Sequence, residues 1–131
     1  MTRVNIKRVK VKRLKRSTLK NKCDDMWREF VRIEGICEWC GKRTGQMHAH
    51  HVIGRTNHTL RWDLRNGVCL DAGCHKMNAG NAHDDPIAFL KWFETTRPED
   101  YEYICRKKNE LWDRDYDKVL EYLNIMEVES D

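Results

Sequence analysis

The stretch that most limits what this chain can become lies at its centre. Cys37-x-x-Cys40 is followed by three histidines in four positions, His48, His50 and His51, and then by Cys69, Asp71, Cys74 and His75. A hydrophobic core rarely needs histidines at that density. The same region has few apolar residues of its own, so a bound ion is expected to organise it. Cys-x-x-Cys beside such a stretch points to metal binding, not to a disulfide framework, because thiols stay reduced in the cytosol. The opening residues MTRVNIKRVK lack the apolar stretch and small-residue cleavage site of a secretory leader, which makes a cytoplasmic location the expectation. No apolar run approaches the ~20 residues of a membrane span, so no membrane is expected among the partners.

The formal net charge of +4 conceals a polarity along the chain. Residues 1–22 contain ten Lys or Arg and no Asp or Glu. The other 15 basic residues share residues 23–131 with all 21 acidic ones, which leaves that part at −6. Within it, residues 37–83 hold six basic against three acidic residues, and 84–131 hold seven against fourteen. Nucleic acid is therefore the expected partner of the arm and the centre, and not of the C-terminal part. We divide the chain into a basic N-terminal arm, 1–22, and a single domain, 23–131, because one domain per ~100–200 residues leaves no room for a second. In the arm, Val and Ile alternate with Lys and Arg, as suits an edge strand or an extended track along phosphates. Each phosphate neutralised would steepen the salt dependence of binding by about 0.9 log units.

Helical spacing of Met26, Trp27, Phe30, Val31 and Ile33 predicts an amphipathic helix from Ser17 or Asn21 to Glu34, stopped by Gly35 in the left-handed position. Cys23 is expected to be a small packed residue near its start. MHAHHVI reads as a strand, Gly54 to Asn57 as turns, Asn66 to Leu70 as a second strand, and a helix opens near Cys74. Three further helices are expected. Pro86 to Glu94 is capped by Asp85, with Ile87, Phe89, Leu90, Trp92 and Phe93 inward; Pro98 to Lys107 opens after Thr96, burying Tyr101, Ile104 and Cys105. Asp113 to Asn124 buries Tyr116, Val119, Leu120 and Leu123.

Taken in order, Cys-x-x-Cys, His-His, Asn and Cys-His resemble the HNH endonucleases, also called ββα-metal or His-Me finger nucleases, in their zinc-bearing treble-clef form. CEWC, HAHHVIGR, RNGVCLDAGCH and HDDPIAFLKW carry the resemblance over roughly residues 37–92, and the last looks like the trailing helix of small phage-encoded members. The resemblance implies an α+β fold: a treble-clef ββα-metal core, hairpin plus helix, with flanking α-helices (core 37–92, C-terminal helices 96–124) and the basic arm. It also implies metal-dependent hydrolysis of DNA phosphodiester bonds, by nicking or double-strand cleavage, and a phage origin would place the protein in the cytoplasm of an infected bacterial host. By position, His51 matches the general base, His50 the metal-binding residue before it, Asn66 the central Asn, and His75 the second metal-binding residue.

Zinc is implied at Cys37, Cys40 and Cys74, with the fourth ligand open. The family pattern ends in Cys-x-x-Cys-His, which puts Asp71 where the first of those cysteines should be; Cys69 offers sulfur but lies two residues earlier. Carboxylates and thiolates both ligate zinc.

The chemistry is coherent without the family name. An imidazole with a pKa near ~6.5 leaves His51 largely neutral and able to take a proton from water, provided its other ring nitrogen is held, a role expected of Asn66 across the hairpin. A divalent ion on His50 and His75 would act as Lewis acid at the phosphate. Two imidazoles without a carboxylate favour Mn, Ni or Zn on ligand type, with Mg kept open because substrate oxygens would complete its shell. Arg55 is a candidate phosphate clamp through its planar fork, against a backbone-binding or structural role. His48 is weighed as a metal or phosphate contact against a surface histidine, and His83 as structural against a place near the metal. Trp62 is expected to pack, and Arg61 and Arg65 to touch DNA; His58 has no assigned role. One such motif makes one cut, so double-strand cleavage calls for a homodimer, successive nicks or a branched substrate. The alternatives are a zinc-containing nucleic-acid-binding module without cleavage, and an accessory protein whose acidic helices recruit a larger phage or host protein.

Overall fold

The computed structural model describes residues 16–130, with side chains over 17–126. The arm's first 15 residues, and with them the strand or phosphate-track expectation, lie outside the described residues. The fold is α+β: helix α1 (Arg16–Val31), strands β1 (Met47–His51) and β2 (Gly67–Asp71), then helices α2 (Pro86–Thr96), α3 (Pro98–Lys107) and α4 (Tyr116–Ser130). A 3-10 turn, Leu64–Asn66, leads into β2, and a single π-helical turn, Gly73–Met77, follows it.

The strands pair antiparallel, with His48 opposite Leu70, His50 opposite Val68 and His51 opposite Gly67. Successive side chains leave a strand on opposite faces, so the hairpin is sandwiched between two cores. On one face Val68 and Leu70 pack with Cys37, Leu60, Phe89, Phe93 and Ile104, which brings in α2 and α3. On the other, α1 and α4 supply Cys23, Trp27, Tyr116 and Leu120 around Trp62.

α1 sits directly on the hairpin because Gly67 has no side chain. A Cβ there would stand 2.5 Å from Val31 Cγ2 and 2.9 Å from Trp27 Cζ2. Beneath this contact, Asp24 accepts both arms of the Arg61 guanidinium (2.9 and 2.8 Å) and the Trp62 indole N–H (2.8 Å). This fork pins α1 to the segment before β2.

Several boundaries differ from the sequence reading. α1 starts at Arg16, so the end of the basic arm is helical; it ends at Val31, which leaves Ile33 in a turn and 64% exposed. Gly35, at φ +67°, provides the expected left-handed stop. β1 is two residues shorter than expected, and Asn66 precedes β2 instead of opening it. The helix expected near Cys74 is one turn only, closed by Asn78 N–H donating to the Gly73 carbonyl (2.9 Å) before Asn78 and Gly80 break the run. Asp85 caps α2 through the Ala88 N–H (3.1 Å), but Ile87, in its first turn, faces outward at 68% exposure. α3 has the expected bounds, with Arg97 as N-cap in place of Thr96. α4 begins three residues later than expected and runs to Ser130. Among the described residues, no helix is long and apolar enough to cross a membrane.

Candidate metal and catalytic site

Two donor clusters lie on either side of the adjacent pair Cys74 and His75. Cys37, Cys40, Asp71 and Cys74 bring their ligand atoms within 4.8 Å of one another. The Cys37 and Cys40 knuckle is closed by Gly41 N–H donating to the Cys37 carbonyl and by Cys37 N–H donating to the Lys42 carbonyl (both 2.8 Å). Asp71 closes β2 and faces both ways: Oδ2 lies 2.9 Å from Cys40 Sγ, and Oδ1 accepts the Cys74 N–H at 3.0 Å. Three sulfurs and a carboxylate are a donor set that fits zinc or a similar ion. The hydrogen bond from the Cys40 thiol and that from the Cys74 N–H hold the Asp71 carboxyl far below its ordinary range. Desolvation and the neighbouring sulfurs push the Cys74 thiol well up in the ion-free protein. Ion binding at such a site displaces protons. Cys69 is not a member. It is buried in β2, its N–H held by Glu38 at 2.7 Å, and burial pushes its thiol up to about 11. The strand pleat explains this, since Cys69 and Asp71 share a face but only Asp71 stands at the strand end beside the knuckle.

The second cluster is His50, His75 and His83, again within 4.8 Å. His50 comes from β1, His75 from the π turn and His83 from the segment before α2. His75 Nε2 lies 2.9 Å from His83 Nε2. Two imidazole nitrogens bound at ~2.0–2.1 Å to one tetrahedral ion would sit roughly 3.3 Å apart, so a small opening of this pair accommodates a cation. Burial, reinforced by His75 and His83, pushes His50 down to about 3; burial, then His83 and His48, pushes His75 down to about 4. Burial, then Lys76, also lowers His83. His50 and His75 are therefore neutral at physiological pH, the form in which imidazole ligates metals, and His83 is shifted in the same direction. His83, which sequence reasoning placed more readily among structural histidines, is thus a full member. His48 Nδ1 lies 2.8 Å from His75 Nδ1, behind the cluster.

His51 leaves β1 on the opposite face. Its ring stacks on Trp27 at 3.9 Å between centroids and 9° between planes, in the space that Gly67 leaves open. Its Nε2 lies 2.9 Å from the Arg61 carbonyl. A carbonyl only accepts, so Nε2 carries the proton and Nδ1 keeps its lone pair. Burial lowers the pKa of His51 to about 4, against the opposing pull of the Arg61 carbonyl. The ring is thus neutral with one basic nitrogen, as expected, though it is a weaker base than a free imidazole.

The partner expected for His51 was Asn66, and here the structure differs. Asn66 is fully buried; its Oδ1 accepts the Ile53 N–H (2.8 Å), and its Nδ2 donates to the carbonyls of Ile53 (3.0 Å) and Leu60 (3.2 Å). Its amide is spent clasping the 53–60 loop, whose continuation presents the Arg61 carbonyl to His51. Arg61 and Arg65, expected at DNA, are also committed elsewhere. Arg61 is locked on Asp24, and Arg65 pairs with Asp100 at 2.7 Å while stacking on Tyr103. Trp62 is buried as expected. Arg55 is exposed, makes no ion pair or hydrogen bond through its side chain among the described residues, and lies close enough to His51 to disfavour protonation of its ring.

Sequence reasoning missed Trp27 and Gly67 as supports of His51. The available signal was the strand register, which sets Gly67 opposite His51. No protein-family model matches the chain, and no curated protein or solved structure matches it.

Proposed function

We propose that this protein is a metal-dependent endonuclease of the HNH, or ββα-metal, type, built on a treble clef whose knuckle, hairpin and π turn surround a zinc held by Cys37, Cys40, Asp71 and Cys74. One observation carries the reading: of two consecutive residues of one strand, His50 belongs to a three-histidine cluster on one face of the hairpin, and His51, on the other face, keeps a free lone pair on Nδ1. A core has no use for that combination, and phosphodiester hydrolysis requires both halves of it.

In this reading His50, His75 and His83 hold a divalent cation. When bound, the cation supplies Lewis acidity at the scissile phosphate and stabilises charge on the leaving oxygen. Three imidazoles and no carboxylate favour Mn, Ni or Zn over Mg on ligand type. His51 Nδ1 takes a proton from water as the nucleophile forms. The Arg61 carbonyl, already accepting from Nε2, steadies the imidazolium that results, and Trp27 keeps the ring in plane with that bond. In the same reading Arg55, exposed and close enough to His51 to act on its charge, grips a phosphate through its planar fork. DNA is the substrate class that suits the basic centre and arm, and a double-strand cut would require a second copy of the chain or two successive nicks.

A nicking assay on supercoiled plasmid with Mg, Mn, Ni, Zn or no added metal tests the proposal. Metal-dependent relaxation by the parent, lost in His51→Ala while that variant still binds cation, is the expected result. A parent that binds DNA but cuts neither linear, branched nor supercoiled forms with any metal would replace it with a nucleic-acid-binding module that does not cleave.

A further inference from the structure

We infer that His48 is a positioning residue that selects the tautomer of His75, and so decides whether the three-histidine cluster can take a cation. The inference rests on the reading of that cluster as a cation site and extends it to a residue outside the ligand set.

The two nitrogens of His75 are engaged by different partners. Nε2 faces His83 and the cluster, and Nδ1 faces His48 Nδ1 at 2.8 Å. A neutral imidazole has one N–H and one lone pair, and only the lone pair binds a metal. For Nε2 to be a ligand atom, the His75 proton must therefore sit on Nδ1, and the group opposite must accept it. His48 Nδ1 is that acceptor, with its own proton on Nε2. The rings meet nearly at right angles, 83°, with centroids 4.9 Å apart, so His48 abuts the edge of His75 and does not stack on its face.

His48 is placed for this by the hairpin. It is two residues before His50 on β1, so both side chains leave the strand on the same face. Its register partner Leu70 lies in the first core. His75 is brought up from the other strand's end by the turn that Asp71 caps. Outer partners of ligating histidines fix ring orientation, and their loss typically weakens metal affinity about 10–100-fold.

The test uses the full chain with the Cys37, Cys40, Asp71 and Cys74 cluster preloaded with zinc, titrating Ni or Mn by calorimetry. His48→Ala is expected to weaken binding about 10–100-fold. His48→Asn puts an amide oxygen where Nδ1 stood, still able to accept the His75 proton, and is expected to recover most of the loss. A purely structural role would not discriminate between an acceptor and a methyl group in this way. Equal affinity in parent, Ala and Asn variants overturns the inference while leaving the cation site intact. No cation binding by the parent overturns the reading of the cluster and the inference with it. Should His48→Ala fail to fold, nitrogen-15 shifts of His75 in the parent decide alone: protonated Nδ1 is expected, and protonated Nε2 refutes it.

Discussion

Asn66→Ala separates two accounts of the central asparagine, one in which it assists the chemistry directly and one in which it is a clasp. The fully buried carboxamide satisfies the Ile53 N–H, the Ile53 carbonyl and the Leu60 carbonyl. Leu60 keeps a second partner, because its carbonyl also accepts the Asp63 N–H at 3.1 Å. Truncation therefore leaves the N–H and the carbonyl of the half-buried Ile53 without their side-chain partner. At about 1–3 kcal/mol for each polar group left unpaired, the loss is at most roughly 2–6 kcal/mol. That is a large share of the ~5–15 kcal/mol by which a domain of this size is folded. At about 4 °C per kcal/mol the melting temperature should fall by roughly 8–24 °C, followed by circular dichroism with the zinc content held equal. Asn66→Asp should be at least as damaging, because it turns an oxygen toward carbonyls that need a donor. Since the clasped loop leads to the Arg61 carbonyl that holds His51, nicking should fall with stability in both variants. A melting temperature within about 2 °C of the parent for Asn66→Ala would refute the clasp.

Four further outcomes are expected. Burial opposes ionisation of Asp24, but the Arg61 fork and the Trp62 N–H outweigh it and hold the carboxyl below its usual 3.8. The stability it contributes is complete above that unfolded value and drains away as pH falls toward the lowered folded one. Asp24→Asn should flatten the acid limb of a plot of melting temperature against pH and cost about 3–5 kcal/mol at neutral pH, where the buried pair has lost one partner. Elemental analysis should find zinc retained in Cys69→Ser but reduced in Asp71→Ala, and a chelator should lower the melting temperature of the parent; zinc lost from Cys69→Ser would restore sulfur as the fourth ligand. Gly67→Ala drives a methyl group into Val31 and Trp27 and should destabilise by about 1–3 kcal/mol, with nicking reduced more than in an equally destabilised variant in the α3 core; equal reductions would deny Trp27 a part in holding His51. His83→Ala should weaken cation binding at the histidine cluster in calorimetry without touching zinc content, and an unchanged affinity would return His83 to a structural role.

The elements that sequence made legible are those whose signal is local. Helical spacing placed α1, α2, α3 and α4, and the pleat alternation of MHAHH correctly separated His48 and His50 from His51. Cys37-x-x-Cys40 and Cys74 mark a cluster that could hold a metal ion, because ligand chemistry leaves few other uses for such spacing. Helix ends were less legible, since Ile33 and Ile87 continue an apolar pattern past the point where packing stops.

What chemistry each residue can perform is written in its type and its neighbours, because donor atoms and pleat parity are properties of the chain alone. Which partner each donor meets is decided only when distant segments converge. Asp71 outranks Cys69 because it stands at the strand end, His83 joins His50 and His75 because the π turn folds it back, and Asn66 is drawn to Ile53 and Leu60 instead of His51. Gly67 admits Trp27 beneath His51 for the same reason. These are choices between residues of similar chemistry, and a hydrogen bond or a ligand bond, effective over about 3 Å, is awarded by position in space.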